Sequence, residues 1–209
     1  MNLGRKILWI VFVICAIAIG LYPLLYWING LNFGLPTSKS AELLELRSWQ
    51  IAFYSHITFG GLALISGFSQ FSKKLRNSHL ELHRVIGKSY IICVFLSGAS
   101  ALYLAYYATG GFVTSLGFGS LAIAWLMSSF MAYKKVKSGD IIQHQSWMIR
   151  SYALTFAAVT LRFWLPFMTA ALGWEFTVAY EIVSWLCWVP NIFVAEFIVQ
   201  RSKPSLQSI

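Results

Sequence analysis

Four histidines and one arginine are the residues of this chain whose placement could do chemistry. Arg162 lies inside an apolar run, residues 152–172, where a solvated charge meets no water. On a helix at 100° per residue, Ser151, Thr155 and Arg162 all fall within about 20° of the direction of His144. A guanidinium at membrane depth costs at least about 2.5–3.5 kcal/mol, so it is expected to be paired and turned inward. His56 sits at a similar depth in another apolar run, and Glu181 enters a third from the same side. His56, Arg162 and Glu181 are therefore expected to meet in one buried polar cluster, with an Arg–Glu ion pair as the cheapest way to hold both charges. A histidine in such a place could be a packing residue, a haem or metal ligand, a proton carrier or a quinone hydrogen-bond donor.

A second group gathers at the opposite membrane boundary: His83, Arg84, Lys88, His144 and Arg150. Two histidines opening neighbouring helices could face one another across a haem iron, with Arg84, Lys88 or Arg150 neutralising the propionates. Gly87 and Ser151 share faces with them and are expected to leave room for a flat macrocycle. The plainer reading of the same residues is a basic interface that sets topology and attracts anionic headgroups. His79 lies in a polar gap and is expected to be an ordinary loop residue. The remaining catalytic patterns fail on residue type. Glu42 and Glu45 belong to an exposed segment, and HExxH, GxSxG and Walker motifs are missing.

The elements that must position these residues follow from composition. Of 209 residues, 58% are hydrophobic and only 11% charged, with a mean hydropathy of +0.66. A soluble domain carries about 25% charged residues, so lipid must cover most of this surface. A formal charge of +9 does not point to nucleic acid, because the basic residues lie in short gaps between apolar runs and form no basic face. Cys15, Cys93 and Cys187 all lie within apolar runs without metal-site spacing and read as packing residues.

Six apolar runs are long enough to cross a hydrocarbon core of about 30 Å: residues 7–28, 49–71, 85–107, 112–133, 147–172 and 176–199. The expected fold is an all-α, six-span bundle forming a single integral membrane domain over residues 1–209. The first run follows Arg5 and Lys6 and exceeds a typical signal core, so it reads as an uncleaved helix, although Ala16-Ile17-Ala18 resembles a cleavage site. Six spans place thirteen loop lysines and arginines on one side and only Lys39 and Arg47 on the other. That asymmetry predicts both termini on the cytoplasmic side. Pro36-Thr37-Ser38 marks a turn in the outer segment, residues 41–47 could form a short surface helix, and Gly110-Gly111 and Gly173 mark tight outer turns. On the second run His56, Gly60, Ala63, Gly67 and Gln70 share a face, and on the third His83, Gly87, Tyr90, Ser97 and Ala101 do. Small residues at that spacing let membrane helices approach closely.

The motif His83-Arg84-Val85-Ile86-Gly87-Lys88-Ser89-Tyr90 resembles the HR-x-x-G-[RK]-x-Y signature of bacterial membrane proteins grouped as domain-of-unknown-function family 2306. The stretch HQSWMIRSYALTFAAVTLR, His144 to Arg162, is similar to that family's HRRWMIRSYALTFAAVTLR block and departs from it at Gln145-Ser146. His56, Gly60-Gly61 and Gln70-Phe71 match its first core helix. The resemblance covers residues 49–166 and implies a bacterial plasma-membrane protein without assigning an activity. More distantly the layout resembles the transmembrane b-type cytochromes, whose four-helix core holds two haems on histidines. Residues 112–133 carry no histidine, so at most one haem b fits that scheme unless Met127 or Met131 supplies a ligand.

Two functions follow as expectations. In the first, runs two to five form a four-helix core that serves haem-binding or quinone-linked electron transfer. The haem would sit on His83 and His144, with His56 and Arg162 at the outer pole and a quinone or redox partner. In the second the protein is a non-enzymatic membrane component, such as a small-solute or proton pathway or an assembly partner. Arg162 and Glu181 are then a structural pair.

Overall fold

The computed structural model describes residues 3–206, without the side chains of Arg5 and of residues 203–206. Two of the thirteen basic residues, Arg5 and Lys203, therefore have side chains outside the described set. All regular structure among the described residues is helical, and six helices are long and apolar enough to cross a membrane. These spans are Lys6–Asn29, Arg47–Ser69, Leu80–Tyr106, Gly111–Lys137, Ile141–Ala171 and Phe176–Ser202. The third begins five residues earlier than the apolar run suggests, so His83 lies within its first turn. Asp140 caps the fifth by accepting from the Gln143 amide at 3.1 Å, which fixes the start of the His144 helix.

Spans two to five form the expected four-helix core. Span two packs on three, three on four, four on five, and five returns to two. Span one lies against span two, and span six against four and five. A Cβ on Gly61 would stand 2.5 Å from the Gly20 carbonyl oxygen, so spans one and two meet backbone to backbone there. Gly110 adopts φ 99°, a left-handed conformation open to glycine, and turns the chain directly from span three into span four. The segment joining spans one and two holds a 3-10 turn, Leu35–Ser38, and a one-turn helix, Ala41–Glu45, capped by Ser40.

Three of the six spans are interrupted. Span one breaks between Leu21 and Pro23. Span five runs as Ile141–Thr155 and Ala157–Pro166, then loosens into a π-helical turn, Phe167–Ala171. Pro166 has no N–H for the carbonyl of Arg162, which accounts for the loosening there. Span six is divided between Phe176–Leu186 and Val189–Leu206. Side chains recover the carbonyls that these breaks release. Thr160 donates its hydroxyl to the Cys187 carbonyl. The Asn191 amide also donates to that carbonyl at 3.0 Å, and to the Ala153 carbonyl at 3.2 Å. Irregular backbone at membrane depth is tolerated where it is buried in protein or borders a cavity.

Candidate functional site

The breaks gather around one cavity. It has a volume of about 750 Å³ and fills the half of the bundle nearest the Leu35–Ser38 turn. Tyr22 and Pro23 border it from the break in span one, Ala157 and Pro166 from span five, and Cys187 from span six. Its wall is otherwise mostly apolar and aromatic. The volume is in the range of small-molecule sites, about 300–1,000 Å³.

His56 and Arg162 both line this cavity. The Ser97 hydroxyl donates to the His56 carbonyl at 2.8 Å, and both Ser97 oxygens lie within 3.1 Å of His56 Nδ1. With that hydroxyl proton committed, the bonds assign the ring hydrogen to Nδ1, donating to Ser97, and leave Nε2 as an acceptor with no partner among the described residues. A Cβ on Gly60 would come within 3.1 Å of the Ser97 hydroxyl, so the glycine keeps the space in which this anchor forms.

Arg162 is held differently from the expectation. Its Nη1 donates to the Ala158 carbonyl at 3.0 Å, one turn back on its own helix, and its guanidinium carbon stands 4.6 Å above the centre of the Tyr22 ring. Tyr22, Tyr26 and Tyr180 are close enough to act on its charge, and that charge bears on the His56 ring. The expected Arg162–Glu181 pair does not form. Glu181 turns toward the span three–four corner, where its Cγ lies 3.0 Å from the position a Gly110 Cβ would take. The ion pairs among the described residues are Lys135–Asp140 and Arg150–Glu196. A guanidinium over an aromatic face gains about 2 kcal/mol when desolvated, which gives Arg162 a partial substitute for a carboxylate.

Two further residues of the site went unread in the sequence. Lys39 lines the cavity at its mouth, and its ammonium donates to the Tyr107 carbonyl and, at 2.8 Å, to the Thr109 hydroxyl. This ties the segment between spans one and two to the corner between three and four. Burial pushes the Lys39 ammonium down to about 8. Trp49 also lines the wall, stacked on Phe53 at 5.1 Å, and its buried indole N–H has no hydrogen-bond partner among the described residues.

The other half of the bundle is closed by packing. Tyr90 crosses its centre, with its hydroxyl 2.7 Å from Ser151 and 2.8 Å from Thr155. Ser151 also meets Ser129 at 2.7 Å, and Trp125 donates to Thr155 at 2.8 Å. Below this layer His144 donates its Nδ1 hydrogen to the Ala132 carbonyl at 2.9 Å, while the buried Nδ1 of half-buried His83 has no partner among the described residues. The room expected beside Gly87 and Ser151 is occupied. The Gln70 side-chain oxygen stands 3.2 Å from a Gly87 Cβ position, and Tyr90 fills the space at Ser151. Arg150 is not available to a propionate either. It makes a two-armed pair with Glu196 of span six, with Nη2 to Oε2 at 2.9 Å, and lies over the Trp147 ring at 4.6 Å. Arg84 and His79 are exposed. Among the described residues, no group of three or more His, Cys, Asp or Glu side chains is placed to hold a metal ion.

The family that the His83 and His144 motifs suggest is matched along residues 53–199, under the description predicted membrane protein (DUF2306). The chain belongs to that family. The match extends past the expected core to include most of span six, whose Glu196 and Asn191 secure span five. No curated protein and no solved structure matches the chain.

Proposed function

We propose that this multi-pass DUF2306 protein is a membrane-embedded binding protein for a small amphipathic molecule, anchored by Arg162 and His56 in the cavity between its spans. One observation carries the reading: a guanidinium at membrane depth faces a cavity of about 750 Å³ and has no carboxylate partner among the described residues. A charge in that position is normally paired, and a ligand can be the partner. His56 Nε2 adds an acceptor, and the apolar wall suits a hydrocarbon portion. A quinone, a ring with two carbonyl acceptors on an apolar tail, falls within this class. Haem on His83 and His144 does not suit the packed layer formed by Tyr90, Ser151 and Gln70.

The reading places the cavity mouth on the outer face of a bacterial plasma membrane and the basic loops in the cytoplasm. A thiol introduced at Thr37 should then react with an impermeant reagent from outside, and one at Ser138 should not. The reverse pattern overturns the orientation. A proton pathway is a second reading, favoured by the buried hydroxyl chain from Thr155 at the cavity floor through Tyr90 and Ser151 to Ser129. Tyr90→Phe should abolish proton flux in liposomes if that reading holds.

Native mass spectrometry of protein in neutral-lipid nanodiscs tests the binding function. A twelve-carbon amphiphile should bind at one per chain, and Ala101→Phe, which fills the cavity, should remove it without lowering the unfolding temperature. Failure of every such amphiphile to bind saturably overturns the proposal.

A further inference from the structure

The lining of the cavity is chemically one-sided. Among the described residues its formally charged side chains are Lys39 at the mouth and Arg162 deeper in, and no aspartate or glutamate borders it. Neither cation has a carboxylate partner among the described residues. Lys39 bonds to a carbonyl and a hydroxyl, and Arg162 to a carbonyl and an aromatic face. Each of these partners supplies partial charge and none a full negative one. Two cations without carboxylate partners facing the same low-dielectric space attract an anion more strongly than they would in water. Lys39 is one of only two basic residues in the loops of its pole, so the positive character of the mouth is not part of the general basic bias.

The other donors point the same way. The guanidinium spends one N–H on Ala158 and keeps others for a planar, two-oxygen acceptor. Beyond Arg162, toward the centre of the membrane, the wall turns apolar through Leu64, Leu121 and Leu154 and ends at Trp125. A ligand that satisfies both ends has an anionic head and a hydrocarbon tail.

We infer that the cavity binds a single-chain amphiphile with an anionic head, a carboxylate or a phosphate monoester, its head between Lys39 and Arg162 and its tail against Leu64 and Trp125. The inference rests on the proposed binding function and specifies its ligand class. A neutral quinone leaves both cations uncompensated, and a cationic amphiphile is repelled.

Four probes with the same twelve-carbon chain separate the outcomes: dodecanoate, dodecyl phosphate, dodecanol and dodecyltrimethylammonium, each titrated into the full-length protein in phosphatidylcholine nanodiscs. Dodecanoate and dodecyl phosphate should bind at least about tenfold more tightly than dodecanol, and the ammonium compound should not compete. Arg162→Gln should remove most of that preference, Arg162→Lys should restore part of it, and Lys39→Met should reduce it by about threefold. Should Arg162→Gln fail to fold, the Lys39→Met titration and the dodecanoate-to-dodecanol ratio of the unaltered protein decide the matter alone. Dodecanol binding as tightly as dodecanoate, with both lost in Ala101→Phe, overturns the anionic class and leaves the binding function intact. If none of the four binds, the binding function fails and the inference with it. Phosphatidylglycerol displacing dodecanoate at equal concentration overturns the single-chain assignment in favour of a bilayer lipid.

Discussion

The two halves of the bundle are built from the same spans and end differently. In the half nearest the basic loops, glycine clears space that an aromatic side chain from another helix enters. Tyr152 and Tyr90 lie directly against Gly67, and Tyr152 reaches on to donate to the Leu64 carbonyl at 2.9 Å. In the opposite half, Gly60, Ala101 and Ala108 also present small side chains, yet no ring enters and a cavity of about 750 Å³ stays open. Polar groups follow the same division. The closed half satisfies its buried hydroxyls within a network of Tyr90, Ser151, Ser129, Thr155 and Trp125. The open half holds a guanidinium and an ammonium without carboxylate partners among the described residues, and an imidazole nitrogen without a hydrogen-bond partner. Small residues in membrane helices therefore do not by themselves distinguish packing from binding. What distinguishes them is whether a facing side chain fills the space they leave.

The strongest way to break the contrast is to add volume on each side. Gly67→Leu drives a side chain into the Tyr152 and Tyr90 rings and should destabilise by about 3 kcal/mol or prevent folding, read as unfolding temperature in detergent. Ala108→Leu in the open half should cost less than about 1 kcal/mol, because the cavity accepts the added atoms. Equal losses would mean that the two halves are packed alike.

Removing one oxygen sharpens the account of the closed half. Tyr90→Phe takes the central hydroxyl from Ser151 and Thr155 and should cost about 1–3 kcal/mol, with amphiphile binding unchanged. Smaller again is the clamp between spans five and six. Glu196→Gln weakens a partly exposed two-armed pair with Arg150 and should cost about 1 kcal/mol, measured by the same unfolding assay.

A pH dependence at the mouth tests the open half separately. Lys39 has its folded value lowered to about 8 from an ordinary 10.5 by burial. Between these two values the unfolded chain carries a proton that the folded chain does not, so stability should rise as pH increases from 8 to 10.5. The rise should disappear in Lys39→Met. A rise of the same size in that variant would assign it to other groups.

Much of the frame was legible in the sequence. Run length and basic asymmetry yield six spans. The faces carrying Gly60, Ala63 and Gly67, and Gly87 and Tyr90, are the ones that pack. Arg162 does face inward, as the cost of a lipid-facing guanidinium requires. The partner of Arg162 was not legible, for a physical reason. Depth along a span sets the level of Glu181 and leaves its rotation about the helix axis open, and that rotation turns it toward Gly110. The actual partner, Tyr22, lies in an apolar run where an aromatic residue carries no distinctive signal. The same holds for the Tyr90 ring that occupies the space beside Ser151. The breaks at Phe156 and Cys187 were also hidden. The Phe156 break has no glycine or proline to announce it, Pro190 marks the one at Cys187 without fixing its partners, and the bonds from Thr160 to Cys187 and from Asn191 to Ala153 that accommodate them are long-range. Lys39 read as a loop charge because nothing in its neighbourhood announces that the loop folds back over a cavity.

The central claim, that the open half is a binding site organised by Arg162, is tested most directly by a structure determined with 12-bromododecanoate. The account predicts a bromine anomalous peak at the cavity floor near Leu64 and Trp125, with the carboxylate about 3 Å from the Arg162 guanidinium. Bromine found only on the lipid-facing surface, with the cavity free of ligand and Arg162 still held by Ala158 and Tyr22 alone, would contradict it.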